Sequence, residues 1–440
     1  MSDAVTPAPR TLVASFDGRS VGMLAESKGI WQFTYTPDWL ARKERFALSP
    51  ALSLAGSPIV DGGSERPVQW YFDNLLPEEA QRQLMAADAH IRAADAFGLL
   101  GYYGAESAGS LTLLPPGEQL PPGNATVLSD EELSRRIREL PKHSLAAGAE
   151  KRMSLAGAQH KLAVILKDGQ LWQPTGAEPS THILKPDHPG VDYPHSVINE
   201  WFVMTLARRM GLIVPTVYRR YVPEPVYLIE RFDRTMAKPV KRLHAIDACQ
   251  LLNLDRQFKY QQGSIDVMSN IIDACRNRLV TRWRLYDWLV FNVLTGNGDA
   301  HLKNLSFLVD PEGVNLAPHY DLLSTVCYGS RAYDGNSWPS SSTLAWPIKT
   351  VERFADLDFE GMVEAGTAMG LSRKQATERL TLMCVGILDA AKDLLSETED
   401  ENEALSRLMG IGITLEGESR CLRTIVYVVI KEMVDRMLRT

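Results

Sequence analysis

Gly296-Asn297-Gly298-Asp299-Ala300-His301-Leu302-Lys303-Asn304, followed by Tyr320-Asp321, decides how this chain is read. The pattern is Asp-x-His-x-x-Asn, with another Asp seventeen residues after Asn304. Asp, Asn and Gly are also the ordinary residues of turns, so the stretch alone reads equally well as a loop. Its flanks change that balance. Trp283 to Leu294 is strongly apolar and predicts a buried helix ending at Thr295-Gly296. Asn304 to Asp310 and Gly313 to Ala317 predict a short hairpin across Pro311-Glu312. Phosphoryl transfer needs such a set. One carboxylate orients the attacking hydroxyl, and an amide oxygen with a further carboxylate holds the magnesium that neutralises the phosphates.

Asp299 and Asn304 are five apart, the spacing of base and metal ligand in the H-R-D-x-x-x-x-N loop of protein kinases. The chain has neither H-R-D nor D-F-G. A buried helix, a polar loop, a hairpin and an Asp nevertheless follow one another in the order of a kinase C-lobe.

At 440 residues the chain can hold two or three domains. Its 45 % apolar and 23 % charged content is that of a soluble globular protein. A net charge of −7 argues against unaided, sequence-blind binding to nucleic acid. The four arginines between Arg276 and Arg284 read as a solvated helix face. Five widely spaced cysteines without C-x-x-C point to free thiols in a reducing cytosol, not to disulfides or zinc. Met1 to Arg10 has no apolar core of a leader, and no apolar run approaches the ~18 residues of a membrane span. A cytoplasmic protein with no membrane partner is expected.

Thr11 to Tyr35 alternates and turns at Asp17-Gly18, predicting a small antiparallel meander. A helical stretch from Trp70 to about His90 is interrupted at Pro77, and Gly109 to Leu114 is a further strand. Pro115 to Gly123 is the clearest linker. Ser129 caps an amphipathic helix running to about Leu140. The small-residue loop Ser154 to Lys161 precedes the strand Leu162 to Leu166. Such a loop can bring backbone N–H groups to phosphate oxygens, although a plain connection reads as well. Thr181 to Lys185 is a short strand ending in Lys, costly in an interior strand unless an anion meets it. Asn199 to Met210 is an amphipathic helix, and Glu200 on it is either Lys185's partner or a solvated acid. Val226 to Glu230 is a strand running into the charged bend Arg231 to Arg234. Beyond Asp321, helices are expected near Phe359–Met369, Arg373–Leu394, Glu401–Leu408 and Cys421–Leu438.

Several of these stretches carry a family resemblance. They are Ser154 to Lys161, Thr181 to Lys185, Glu230 to Arg234, Gly298 to Asn304 and His319 to Leu323. Together they resemble the HipA-type serine/threonine kinase toxins of bacterial type II toxin–antitoxin systems. Phe72 to Pro77 and Gly109 to Pro115 are similar to that family's N-terminal domain. The resemblance implies an α+β, two-lobed fold like the protein and lipid kinases, with a small β-rich N-terminal subdomain and an all-helical C-lobe. The division expected is 1–115 for that subdomain, 116–240 for the kinase N-lobe and 241–440 for the C-lobe.

It further implies ATP and Mg2+ as cofactors and Asp299 as the catalytic base, with Asn304 and Asp321 as metal ligands. ATP-binding residues would be Ala156, Gly157, Ala158, Gln159, His160 and Lys161 of the phosphate loop, Lys185, and Glu230, Arg231 and Phe232 of the adenine hinge. His301, Lys303, Asn304, Tyr320 and Asp321 would complete that set, and Ser154 matches the family's autophosphorylated serine. Partners implied are a HipB-type helix-turn-helix antitoxin, operator DNA only through that antitoxin, and an aminoacyl-tRNA synthetase as substrate, so that phosphorylation inhibits translation. Ala300 stands where relatives often have Gly, and His160 where they often have an acid. Two rivals remain at this level: a lipid or small-molecule kinase, and a catalytically weak co-repressor bound to the antitoxin.

Overall fold

In a computed structural model the described residues are 9–147, 153–235, 237–409 and 411–439. Met1 to Ala8, most of the stretch for which no leader is expected, lies outside them. The fold is α+β and divides into two compact units, each made from separated pieces of chain. The first comprises Met1–Ile183, Arg231–Phe258 and Ser306–Asn315. The second comprises Leu184–Glu230, Lys259–Leu305 and Leu316–Thr440.

The first unit opens with the expected meander. Arg10–Phe16, Arg19–Ser27 and Ile30–Tyr35 pair antiparallel, with Leu111–Leu114 on one edge and Ile59–Val60 on the other. Asp17 and Gly18 both have positive φ, the geometry of the two-residue turn whose twist suits a hairpin. Trp31, Phe33 and Tyr35 alternate inward, and Trp31 and Phe33 meet Phe97 and Phe72 at ring-centroid distances of 5.2 and 5.6 Å. The helical stretch after it is two helices, Pro67–Asp73 and Glu79–Asp88, with Pro77 in the break. A second antiparallel group is formed by Asn124–Val127, Gln170–Thr175 and Leu162–Lys167. Ser129 caps Asp130–Arg138 by accepting the Glu132 N–H at 3.2 Å.

In the second unit, helix Ser196–Arg209 precedes the antiparallel pair Val217–Tyr221 and Pro225–Glu230. Helix Arg278–Thr295 buries Leu285, Tyr286, Trp288, Leu289, Phe291 and Leu294. Side chains of this size each stabilise by about 1.5–3 kcal/mol when fully buried. The helix is thus a rigid stem for the loop after it.

Two expectations need correction here. Arg373–Leu394 and Glu401–Leu408 are one helix, Arg373–Met409, of 37 residues. The helix runs on through the acidic stretch, where arginines from other elements pair with the acids: Arg209 with Glu397, Arg423 with Glu399 and, at its end, Arg219 with Glu401. The arginine-rich face near Arg276 is not uniformly solvated either. Arg284 is partly buried and donates to the Leu316 and Ala317 carbonyls at 2.7 and 2.5 Å. The segment leading to Asp321 is thereby tied to the stem helix.

Candidate active site

The polar loop begins where the stem helix stops. Gly296 ends the helix with a φ of +67°, and a Cβ there would collide with Val326 and sit 2.6 Å from Val429. Only glycine fits this left-handed cap. Asn297 is buried; its amide donates to Asn292 at 2.8 Å and its oxygen accepts the Asp299 N–H at 3.1 Å. The Gly298 N–H donates to the Thr325 hydroxyl at 2.8 Å. The Asp299 carbonyl accepts from the His301 N–H at 2.8 Å and from the Asn304 side-chain amide at 3.0 Å. The backbone under Asp299 is therefore fixed from both sides, while its carboxylate stays half-buried.

That last bond also orients Asn304. An amide group that gives its N–H2 to a carbonyl turns its Oδ1 the other way, as a metal ligand must. Ala300 is buried and its carbonyl accepts the Trp346 indole N–H at 2.5 Å. Lys303 is also buried, and the Tyr320 hydroxyl donates to its carbonyl at 2.7 Å. Tyr320 thus pins the segment carrying Asp321 beside the residue preceding Asn304.

Asp321 has a φ of +58°, a left-handed conformation that Asp and Asn tolerate better than other side chains. Its Oδ1 accepts from Lys185 Nζ at 2.5 Å. Lys185 also donates to both oxygens of Glu200, at 2.7 and 2.9 Å, and lies 5.6 Å from the Tyr227 ring centroid. The Lys185 side chain is 6 % exposed and that of Glu200 3 %, so the helix acid is a buried partner rather than a solvated one. Burial works against the ammonium charge, but Asp321 and Glu200 outweigh it and hold Lys185 above the ordinary lysine range. Next to this segment, burial presses the His319 imidazole down to about 3, aided by Arg284, so it is neutral and packs against Trp288.

Lys185, Glu200, Asp299, His301, Lys303, Asn304, Tyr320 and Asp321 all belong to the second unit. Two oxygen ligands with room for phosphate oxygens and water is a donor set that suits Mg2+. Asn304 Oδ1 and the Asp321 carboxylate, whose side chain is 25 % exposed, fit that requirement.

In the first unit, Ala156 to Lys161 form an irregular loop. Gly157 has a φ of +108°, its carbonyl accepts the Glu78 N–H at 3.1 Å, and Lys161 Nζ donates to the Ala156 carbonyl at 2.8 Å. Ala158 is exposed, Gln159 half-buried and His160 buried. Ser154 is buried, its N–H bonded to the Glu106 carbonyl at 2.9 Å, and its hydroxyl has no partner among the described residues. At the hinge, Glu230 belongs to the second unit, and Arg231 and Phe232 to the first. The Arg231 side chain is fully buried on Asp233, at 2.6 and 2.9 Å, and on Glu106 at 3.3 Å. What Arg231 can offer a base is main chain alone.

Sequence reasoning missed three positions. Tyr260 donates to Asp299 Oδ1 at 2.7 Å from 39 residues away. Arg284 braces the approach to Asp321. Glu106 is the buried acid on which Ser180, Arg231 and Arg234 converge, at 2.5, 3.3 and 2.9 Å. The paired charges of Glu230-Arg-Phe-Asp-Arg234 were the one available hint of such a cluster.

The chain has relatives among known proteins. Residues 153–391 match the model of the HipA-like C-terminal domain, and residues 12–114 that of the HipA N-terminal domain. The chain is 32 % identical over 430 residues to Y4mE of Sinorhizobium fredii, provisionally called a kinase, covering 94 % of this chain and 99 % of the relative. It is 31 % identical over 316 residues to the serine/threonine-protein kinase toxin HipA of Shewanella oneidensis, covering 67 % and 70 %. Among solved structures, HipA in the S. oneidensis complex with HipB and its operator DNA superimposes with a TM-score of 0.75 at 25 % identity, covering 96 % of this chain and 99 % of that one.

Proposed function

The chain belongs to the HipA family of toxin–antitoxin kinases, and on that premise we propose that it transfers the γ-phosphoryl group of ATP to a serine or threonine of an aminoacyl-tRNA synthetase, so arresting translation. The observation that carries this reading is the buried Lys185–Glu200–Asp321 network beside a loop that fixes Asp299 and Asn304. A lysine this deeply buried and doubly countered is expensive to maintain as mere structure. It is what a phosphate-binding site requires.

Asp299 accepts the hydrogen bond of the acceptor hydroxyl and aims it in line. Lys185, held by Glu200, presents its ammonium to the phosphates. Asn304 and Asp321 would hold Mg2+, which neutralises phosphate charge when bound. His301, Lys303 and Tyr320 complete the wall through the contacts described above. Ala156 to Lys161 serve the phosphates, and the main chain of Glu230, Arg231 and Phe232 serves the adenine. The domain division 1–115, 116–240 and 241–440 is part of this proposal; the N-terminal family model, 12–114, falls within the first of the three.

Ser154 is proposed as the site of self-inactivation. Its hydroxyl is buried, so a phosphate carrying roughly −1.5 to −2 charge there would either expel the loop or compete with ATP. A small helix-turn-helix antitoxin of HipB type is the proposed partner, with DNA contacted through it. Among the described residues no helix is long and apolar enough to cross a membrane, and action on a synthetase places the protein in the cytoplasm.

The test is phosphoproteomics after brief induction of wild type and Asp299→Asn. A new phosphoserine or phosphothreonine on a synthetase, present only with the wild type, is expected. Identical phosphoproteomes would reject the reading.

A further inference from the structure

Tyr260 is half-exposed, at 46 %, yet its hydroxyl is placed on the carboxylate of the loop. It donates to Asp299 Oδ1 at 2.7 Å, a charge-assisted bond of the length a substrate hydroxyl would make there. Its ring stands edge-on to His301, with centroids 5.0 Å apart. The preceding residue is anchored: the Lys259 carbonyl accepts the Leu302 N–H at 3.2 Å. Tyr260 therefore rises from a fixed point beside the loop, with its outer face in solvent.

A residue whose task is to position a base is normally locked by packing. Tyr260 meets the His301 ring and the Lys259 ammonium, each about 5.0 Å from its ring centroid, but stays 46 % exposed, and the backbone of Asp299 is already held by Asn297, His301 and Asn304. What the phenol does occupy is a hydrogen-bonding place on Oδ1 that an acceptor hydroxyl can use.

We propose that Tyr260 is an acceptor-subsite residue: its hydroxyl keeps the substrate hydroxyl's place on Asp299, and its ring is the wall on which the incoming serine or threonine side chain packs. This rests on the reading of Asp299 as the base. An acceptor that uses Oδ1 must displace the phenol, so acceptors with few other contacts are disfavoured. Only a protein that binds well elsewhere on the surface gains access, and the residue thereby sets specificity.

The experiment uses the full chain, labelled ATP and dephosphorylated casein as a probe acceptor, with wild type, Asp299→Asn and Tyr260→Phe. Phe keeps the ring against His301 and removes only the competing hydroxyl. Wild-type labelling that Asp299→Asn loses establishes the base. Tyr260→Phe is then expected to lower KM for casein about five- to tenfold, with KM for ATP unchanged. A fall in kcat at unchanged casein KM would make Tyr260 a positioning group and overturn the proposal, as would wild-type kinetics in the variant. Labelling that survives in Asp299→Asn would instead remove the reading beneath it.

Discussion

Lys185 is the residue on which the site's electrostatics turn, and a two-residue cycle tests it. In Lys185→Met the side chain that bridges Glu200 and Asp321 becomes apolar. Glu200, 3 % exposed, is then a buried carboxylate without its cation, and Asp321 loses its partner as well. Breaking a buried pair from one side costs about 3–5 kcal/mol, and the loss here should lie at the upper end because two carboxylates are abandoned. Glu200→Gln is milder. Lys185 keeps Asp321 at 2.5 Å, and the glutamine oxygen still accepts, so about 1.5–3 kcal/mol is expected, the worth of a hydrogen bond to a charged group. The double variant has no buried charge at position 200 and a methionine beside a neutral amide. It should be more stable than Lys185→Met alone, by about 1–2 kcal/mol, with a coupling within the range found for touching residues. Urea unfolding followed by tryptophan fluorescence reads this, since buried Trp288 lies in the same unit. If the double variant falls below Lys185→Met by the full cost of Glu200→Gln, the two side chains do not interact. The account of the site then fails.

Other outcomes follow from single positions. Gly296→Ala places a Cβ against Val326 and Val429 at a φ of +67°, so the left-handed penalty and the overpacking together should cost about 2–5 kcal/mol; a melting temperature within a degree of wild type would contradict the cap geometry. Asp321→Asn and Asp321→Ala should both lose phosphoryl transfer, but at φ +58° the alanine should be less stable than the asparagine by about 1 kcal/mol, and thermal melts that rank them the other way would refute the backbone argument. Burial pushes the Glu418 carboxyl up to about 7; the Tyr221 hydrogen bond opposes this, Asp187 adds to it, and Arg219 opposes it. The folded state therefore holds a proton that the unfolded chain releases near 4.5, and the stability this gives is complete below that value and lost as pH rises through about 7. At roughly 1.4 kcal/mol per unit the window is worth about 3 kcal/mol, so Glu418→Gln should gain on wild type between pH 5 and pH 8, and parallel unfolding curves would deny it.

Asp299, Asn304 and Asp321 were legible because phosphoryl transfer admits few side-chain types and a tight loop fixes their spacing. The stem helix before the loop announces itself by apolar pattern, whereas the Lys185 contact on Asp321 at 2.5 Å leaves no local trace. Glu200 was half-legible: the helix was readable, but whether its acid faced solvent or Lys185 was not, since that depends on how the helix is rotated against a strand. Tyr260, Arg284 and Glu106 were not legible at all. Their partners lie 39, 32 and 125 residues away, and no periodicity records a tertiary hydrogen bond.

The long helix Arg373–Met409 shows the same limit from the other direction. Leu395 to Asp400 falls between two expected helices, and the clustered acids from Glu397 to Glu401 repel one another. In the fold, arginines from three other elements stand on those acids, so the local rule is overruled by charges that the local window does not contain. The candidate residues could be named early because the proposed chemistry constrains type and spacing together. Residues that hold or screen them are constrained only by place, and place exists only once the chain is folded. Tyr260 belongs to that second group, and this is why a phenol resting on the Asp299 carboxylate had to be found in the structure.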